Sequence, residues 1–180
     1  METSAASQEE IKKPAIFLNE LAIGTGYVHG VFKHSYDYSV YPAFVRLGFN
    51  INTLVGLEGC QSTFQLALEP FLNSIQGENQ GVEAGSSIGV RYLHKLSTSV
   101  DVFTEASVAP MFLGIDTVEQ GKSGFNFLDQ IGAGLQYKFS GKGALFVGYR
   151  FRHISNATLV NRPNAGLNSD ALVSGFTWLY

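Results

Sequence analysis

The chain has 180 residues, among them 20 Gly, 14 Phe and 8 Tyr, and only 15% are charged, a balance of turn formers and aromatics that suits an all-β domain. Its formal net charge is −3 and no segment concentrates Lys or Arg, which excludes the electrostatic footprint of a nucleic-acid binder. Cys60 is the single cysteine, so a disulfide framework or thiol-rich metal site is excluded. No apolar run approaches the roughly 18 residues of a membrane-spanning helix.

In chain order, residues 1–14 are polar and lack the apolar core of a signal peptide. They read as a flexible N-terminal segment ahead of a barrel domain over residues 15–180, and an exported chain is expected here in mature form. A weak strand is predicted around Leu18 to Tyr27. Clear period-two alternation follows, the mark of a strand with two unlike faces. Tyr41, Ala43, Val45, Leu47, Phe49 and Ile51 oppose Phe44, Arg46, Gly48 and Asn50. Phe64, Leu66, Leu68 and Leu72 oppose Gln65, Ala67, Glu69 and Asn73. Val82, Ala84, Ile88, Val90 and Tyr92 oppose Glu83, Gly85, Gly89 and Arg91, and Val100, Val102, Ala106 and Val108 oppose Asp101, Glu105 and Ser107.

The alternation is cleanest from Phe125 to Phe139, where the odd positions are mostly apolar and the even ones small or polar. A seventh strand runs from Ala144 to Ile154 and an eighth from Asp170 to Tyr180. Eight such strands predict an antiparallel up-and-down transmembrane β-barrel with its apolar face toward lipid. Leu93–Ser99 and Ser140–Gly143 read as tight turns. Gly30–Tyr38, Asn73–Gly81, Gly114–Gly124 and Asn156–Asn168 read as longer loops, and this asymmetry resembles that of outer-membrane barrels. The terminal Phe176, Trp178 and Tyr180 suit an interfacial aromatic girdle. Glu69, Glu83, Glu105, Arg46, Arg91, Arg150 and Arg152 fall on the inward face. There they are expected to pair and fill a lumen just wide enough for side chains.

His153 and Ser155 stand two residues apart, hence on one face, and that face also carries Phe151, Tyr149, Val147 and Leu145. The pair is therefore predicted on the lipid-facing wall. With both termini periplasmic, the seventh strand runs outward and places Ser155 at the extracellular rim. A serine hydroxyl becomes a useful nucleophile when a neighbouring imidazole takes its proton, so the pair points to attack on a lipid carbonyl.

His153-Ile154-Ser155-Asn156-Ala157, followed by Pro163-Asn164-Ala165-Gly166-Leu167-Asn168, resembles the lipid A 3-O-deacylases, outer-membrane barrels that hydrolyse an ester-linked acyl chain of lipopolysaccharide. The resemblance implies Ser155 as nucleophile, His153 as general base, and Asn156 and Asn164 as oxyanion and supporting groups. It also implies removal of a 3-O-acyl chain from lipid A in the outer leaflet of a bacterial outer membrane, with no cofactor or metal. The position of the family's acidic third member falls on Asn168, an amide. Asp170, on the same strand face, is the alternative and requires a register shift. Thr158 stands where the family tends to have glycine.

Other signals read as bland. Gly85-Ser86-Ser87-Ile88-Gly89 fits a nucleophile elbow, but no helix follows it. His29 and His34, expected in an outer loop, and His94, near a turn, lack metal-ligand spacing. Two competing functions are a catalytically inactive structural barrel and, against the inward charges, a soluble lipocalin-like carrier. Oligomeric state is not encoded in any motif.

Overall fold

The computed structural model describes residues 14–31, 37–77 and 79–180; residues 1–13 of the expected N-terminal segment and His34 lie outside them. The described chain is all-β. Its strands are β1 (Phe17–Val31), β2 (Asp37–Tyr41), β3 (Ala43–Asn50), β4 (Ser62–Gly77), β5 (Gly81–Lys95), β6 (Val100–Leu113), β7 (Gly124–Lys138), β8 (Gly143–Ser155) and β9 (Leu167–Leu179). Each pairs antiparallel with its neighbours, and β9 closes onto β1 over Glu20–Gly30. The ring therefore has no free edge to template aggregation.

Nine segments make eight staves. β2 and β3 both lie between β1 and β4 and are separated only at Pro42, which has no N–H to give a ladder. The eight predicted strands are thus present, with four corrections. β1 extends to Val31, so His29 is an outward-facing strand residue rather than part of a loop. β4 runs to Gly77 and β5 begins at Gly81, so most of the expected Asn73–Gly81 loop is strand. A short helix, α1 (Asn52–Val55), occupies the β3–β4 connection. This connection lies at the same end as the tight turns, so the contrast between short and long ends is weaker than the turn signals imply. Finally, β9 begins at Leu167, placing Asn168 within the ladder. The strand signal is weak there because Asn168 and Ser169 are turn-forming residue types and Leu167 follows a glycine.

The faces are those that the alternation predicts. Leu145, Val147, Tyr149 and Phe151 are exposed, whereas Ala144, Phe146, Arg150 and Arg152 are buried. Ile23, Val45, Leu72, Ile88, Val108, Ile131 and Leu172 extend the apolar outer surface, as a barrel wall in lipid requires. Aromatics gather toward both ends. Tyr27 packs on Tyr41 at one end, and Phe176 packs edge-on against Trp178 at the other. Among the described residues no helix is long and apolar enough to cross a membrane.

The lumen is charged and packed. Arg46 binds Glu20 at 2.9 Å, Arg91 reaches Glu20 at 2.9 Å and Glu105 at 3.4 Å, and Arg152 meets Glu83 at 2.6 Å. Arg150 forks onto Glu69 at 2.7 and 2.9 Å and donates to Glu105 at 2.6 Å. Guanidinium groups also cover the rings of Phe146, Phe103 and Phe44. The inward set is therefore a structural network. Glu20 belongs to it and was not predicted, because a register shift between Leu18 and Glu20 interrupts the alternation that would reveal it. Tyr38 and Asn73 also bond Glu83, and a lumen crossed by charged and polar groups in this way is unlike the apolar interior that a carrier's ligand needs.

Removing one partner of a buried pair strands the other charge, a cost of about 3–5 kcal/mol. Arg150→Met leaves both Glu69 and Glu105 short of a cation. It is expected to lower unfolding stability by that order in a urea titration of the refolded barrel followed by Trp178 fluorescence, with Leu145→Ala on the outer wall as a near-neutral control.

Candidate active site

β8 carries the site, and β9 adds to it. His153 and Ser155 face outward on adjacent pleats at the end of the strand, both half-buried. β9 brings Asn168 directly opposite His153, and the His153 Nδ1–H donates to the Asn168 carbonyl Oδ1 at 2.6 Å. That bond fixes the tautomer: with the proton on Nδ1, Nε2 keeps its lone pair free to accept one. No hydrogen bond joins the Ser155 hydroxyl to the ring among the described residues. Such contacts are commonly long before substrate binds and tighten in the Michaelis complex.

Asp170 is placed differently. It lies opposite Phe151 on β8 and His29 on β1, and its Oδ1 accepts a hydrogen bond from the Tyr149 hydroxyl. The register thus brings Asn168, and not Asp170, to the imidazole.

The loop after Ser155 is stapled by asparagines. The Asn156 N–H donates to Asn164 Oδ1 at 2.9 Å, the Asn156 Nδ2 donates to the Pro163 carbonyl at 2.8 Å, and Asn156 Oδ1 accepts from the Thr158 N–H at 2.9 Å. Asn156 is fully buried, so its amide holds the loop rather than facing a substrate. Asn164 engages only its oxygen and keeps Nδ2 as a donor. Residues 114–123 buttress this loop, with Ala165 N–H bonded to the Glu119 carbonyl at 2.9 Å and Gln120 Nε2 to the Ile154 carbonyl at 3.3 Å. Glu119 and Gln120, both buried, escaped sequence reasoning because they belong to a loop with no periodicity.

Two backbone positions shape the loop. Gly166 has φ +75°, and a Cβ there would come within 2.7 Å of the His153 Cε1, so glycine allows the backbone to lie against the ring. Ala157 and Thr158 have φ 50° and 58°, a left-handed geometry unfavourable for a β-branched residue.

The sequence profile of the lipid A 3-O-deacylase (PagL) family matches residues 43–177. The fold is similar to the crystal structure of the outer membrane enzyme PagL, with a TM-score of 0.62 and 20% identity over 87% of this chain and 97% of that one. It is also similar to the crystal structure of Neisserial surface protein A (NspA), with a TM-score of 0.61 and 15% identity over 93% of this chain and 100% of that one. No curated protein matches the sequence.

Gly166→Ala should push the imidazole off Asn168 and cut turnover by at least about tenfold, the effect of sub-ångström misplacement in a site that depends on orientation. Thr158→Gly should relieve left-handed strain of about 1 kcal/mol, seen as a higher temperature for heat-induced loss of folded gel mobility.

Proposed function

The chain belongs to the lipid A 3-O-deacylase (PagL) family, and on that premise we propose that it is an outer-membrane serine esterase removing a 3-O-acyl chain from lipid A. The observation that carries the reading is the His153–Asn168 bond on the outward face of β8, two residues from Ser155. An imidazole so oriented is prepared to take a proton, and its position on the apolar wall faces a lipid in the membrane rather than a dissolved molecule. A shallow depression of about 500 Å³ opens on that wall from Phe151 downward, lined by Tyr149, Ile131, Ala133 and Ala106. Its upper end, Phe151, is two residues from His153, and it offers an acyl chain an apolar surface.

In the reaction, Ser155 Oγ attacks the ester carbonyl carbon while its proton passes to His153 Nε2. The resulting oxyanion is met by the Asn164 Nδ2 donor. Collapse breaks the acyl C–O bond, and His153 returns the proton to the departing sugar oxygen. Water, deprotonated by the same imidazole, then attacks the acyl-enzyme and releases the fatty acid and Ser155. Asn168 holds the ring throughout but brings no charge, as in Cys-His-Asn sites. This chemistry calls for no metal or cofactor. The membrane supplies the substrate, with lipopolysaccharide of the outer leaflet as the partner.

The refolded protein, incubated with purified lipopolysaccharide in detergent, is expected to release a free fatty acid detectable by mass spectrometry. Ser155→Ala and His153→Ala should each lower the rate by about 10³-fold or more, and Asn168→Ala by about 10–100-fold, since nucleophile and base act as a unit and the orienting group acts through them. Release by Ser155→Ala at the parental rate would assign the chemistry to another residue, and release by the parent no faster than in a protein-free control would favour a structural barrel without catalysis.

A further inference from the structure

An amide at position 168 orients the imidazole but leaves the imidazolium formed during attack without a counter-charge. The carboxylate of Asp170 on the same strand is engaged by Tyr149. On the other side of His153, β7 places Asp129 directly opposite it in the antiparallel ladder. Side chains directly opposite in such a pair have Cβ atoms about 4.5–5.5 Å apart, so Asp129 and His153 are neighbours on the outer wall.

Asp129 is exposed on a face whose next outward residue is Ile131 and whose previous one is Phe127. Among the described residues it has neither a hydrogen bond nor an ion pair. Nothing in the packing of the barrel requires a charge there, whereas every carboxylate of the lumen network is paired. An unpartnered carboxylate on a wall that faces lipid is unfavourable and calls for a functional reason. On the outer wall around His153 stand Asp129 from β7 and Asn168 from β9 directly opposite it, Ser155 on the next outward pleat of its own strand, and Asp170 opposite Phe151, where it is bonded to Tyr149.

We propose that Asp129 is a positioning residue of this site, acting through His153 from the strand opposite Asn168 and supplying the negative charge that Asn168 lacks. The usual third member is thereby divided between two strands: the β9 amide fixes the ring's orientation and the β7 carboxylate stabilises its charged form. The proposal rests on the Ser155–His153 reading above, but not on the identity of the substrate.

The test measures nucleophile activation directly. A fluorophosphonate probe reacts when Ser155 Oγ attacks phosphorus, fluoride departs and the hydroxyl proton passes to His153. Adduct formation on Ser155 is followed by mass spectrometry in detergent-refolded protein. The parent should label and Ser155→Ala should not. Asp129→Asn, nearly isosteric on an exposed position, should label at least tenfold more slowly, with Asp129→Glu recovering most of the rate. In an Asn168→Asp background the effect of Asp129→Asn should shrink to threefold or less, because the charge is then supplied from β9. In the lipopolysaccharide assay the Asp129→Asn loss should fall in kcat with KM little changed.

Labelling of Asp129→Asn at the parental rate, an equal loss in both backgrounds, or a parent whose Ser155 does not label would overturn the proposal. Asp129-dependent labelling without fatty-acid release would instead retain it and reject lipid A as substrate.

Discussion

The structure depends on one constraint: four arginines are held inside an eight-stave ring with four glutamates. Arg46, Arg91, Arg150 and Arg152 find Glu20, Glu69, Glu83 and Glu105 within ion-pair distance, so the lumen is electrically neutral although densely charged. Buried pairs of this kind are weak as a source of net stability, yet breaking one leaves an uncompensated charge, so they discriminate strongly against wrong arrangements. A one-residue slip in any of the contributing strands would turn a guanidinium or a carboxylate toward lipid and an outward-facing side chain into the network. The network thus fixes the register, and the register fixes everything outside.

Filling the interior also determines where chemistry is possible. With Arg150 and Arg152 directed inward, the alternate residues of β8 have to face out, and His153 and Ser155 are among them. The neighbours of β8 then set what surrounds the ring: Asn168 on β9 is hydrogen-bonded to it, and Asp129 on β7 stands opposite it in the ladder. Precision of this kind comes from strand ladders rather than loops. The loop after Ser155 adds a stapled frame in which Asn156 serves the backbone.

Much of this was legible in the sequence. Period-two alternation revealed the staves, the inward charges and the outward pair because it reports directly on which face is wet, packed or greasy. Three kinds of feature were not legible. Glu20 was hidden by an irregularity in β1 that breaks the period. The true lengths of β1 and β4 were hidden by residues such as Gly30 and Gln76, whose turn-like or polar character is overridden by pairing across the ring. The choice between Asn168 and Asp170 depended on register, which becomes visible only when β8 and β9 are set side by side; the same holds for Asp129, which is 24 positions before His153 in the chain and opposite it in the ladder.

The proposed nucleophile, facing outward at the rim, has a kinetic consequence. An enzyme built this way meets its substrate by lateral diffusion within a two-dimensional film, so the quantity that saturates it is surface mole fraction and not bulk molarity. Diluting lipopolysaccharide with inert amphiphile at constant total concentration would then slow such an enzyme, whereas diluting the whole suspension with buffer would leave the rate per molecule nearly unchanged.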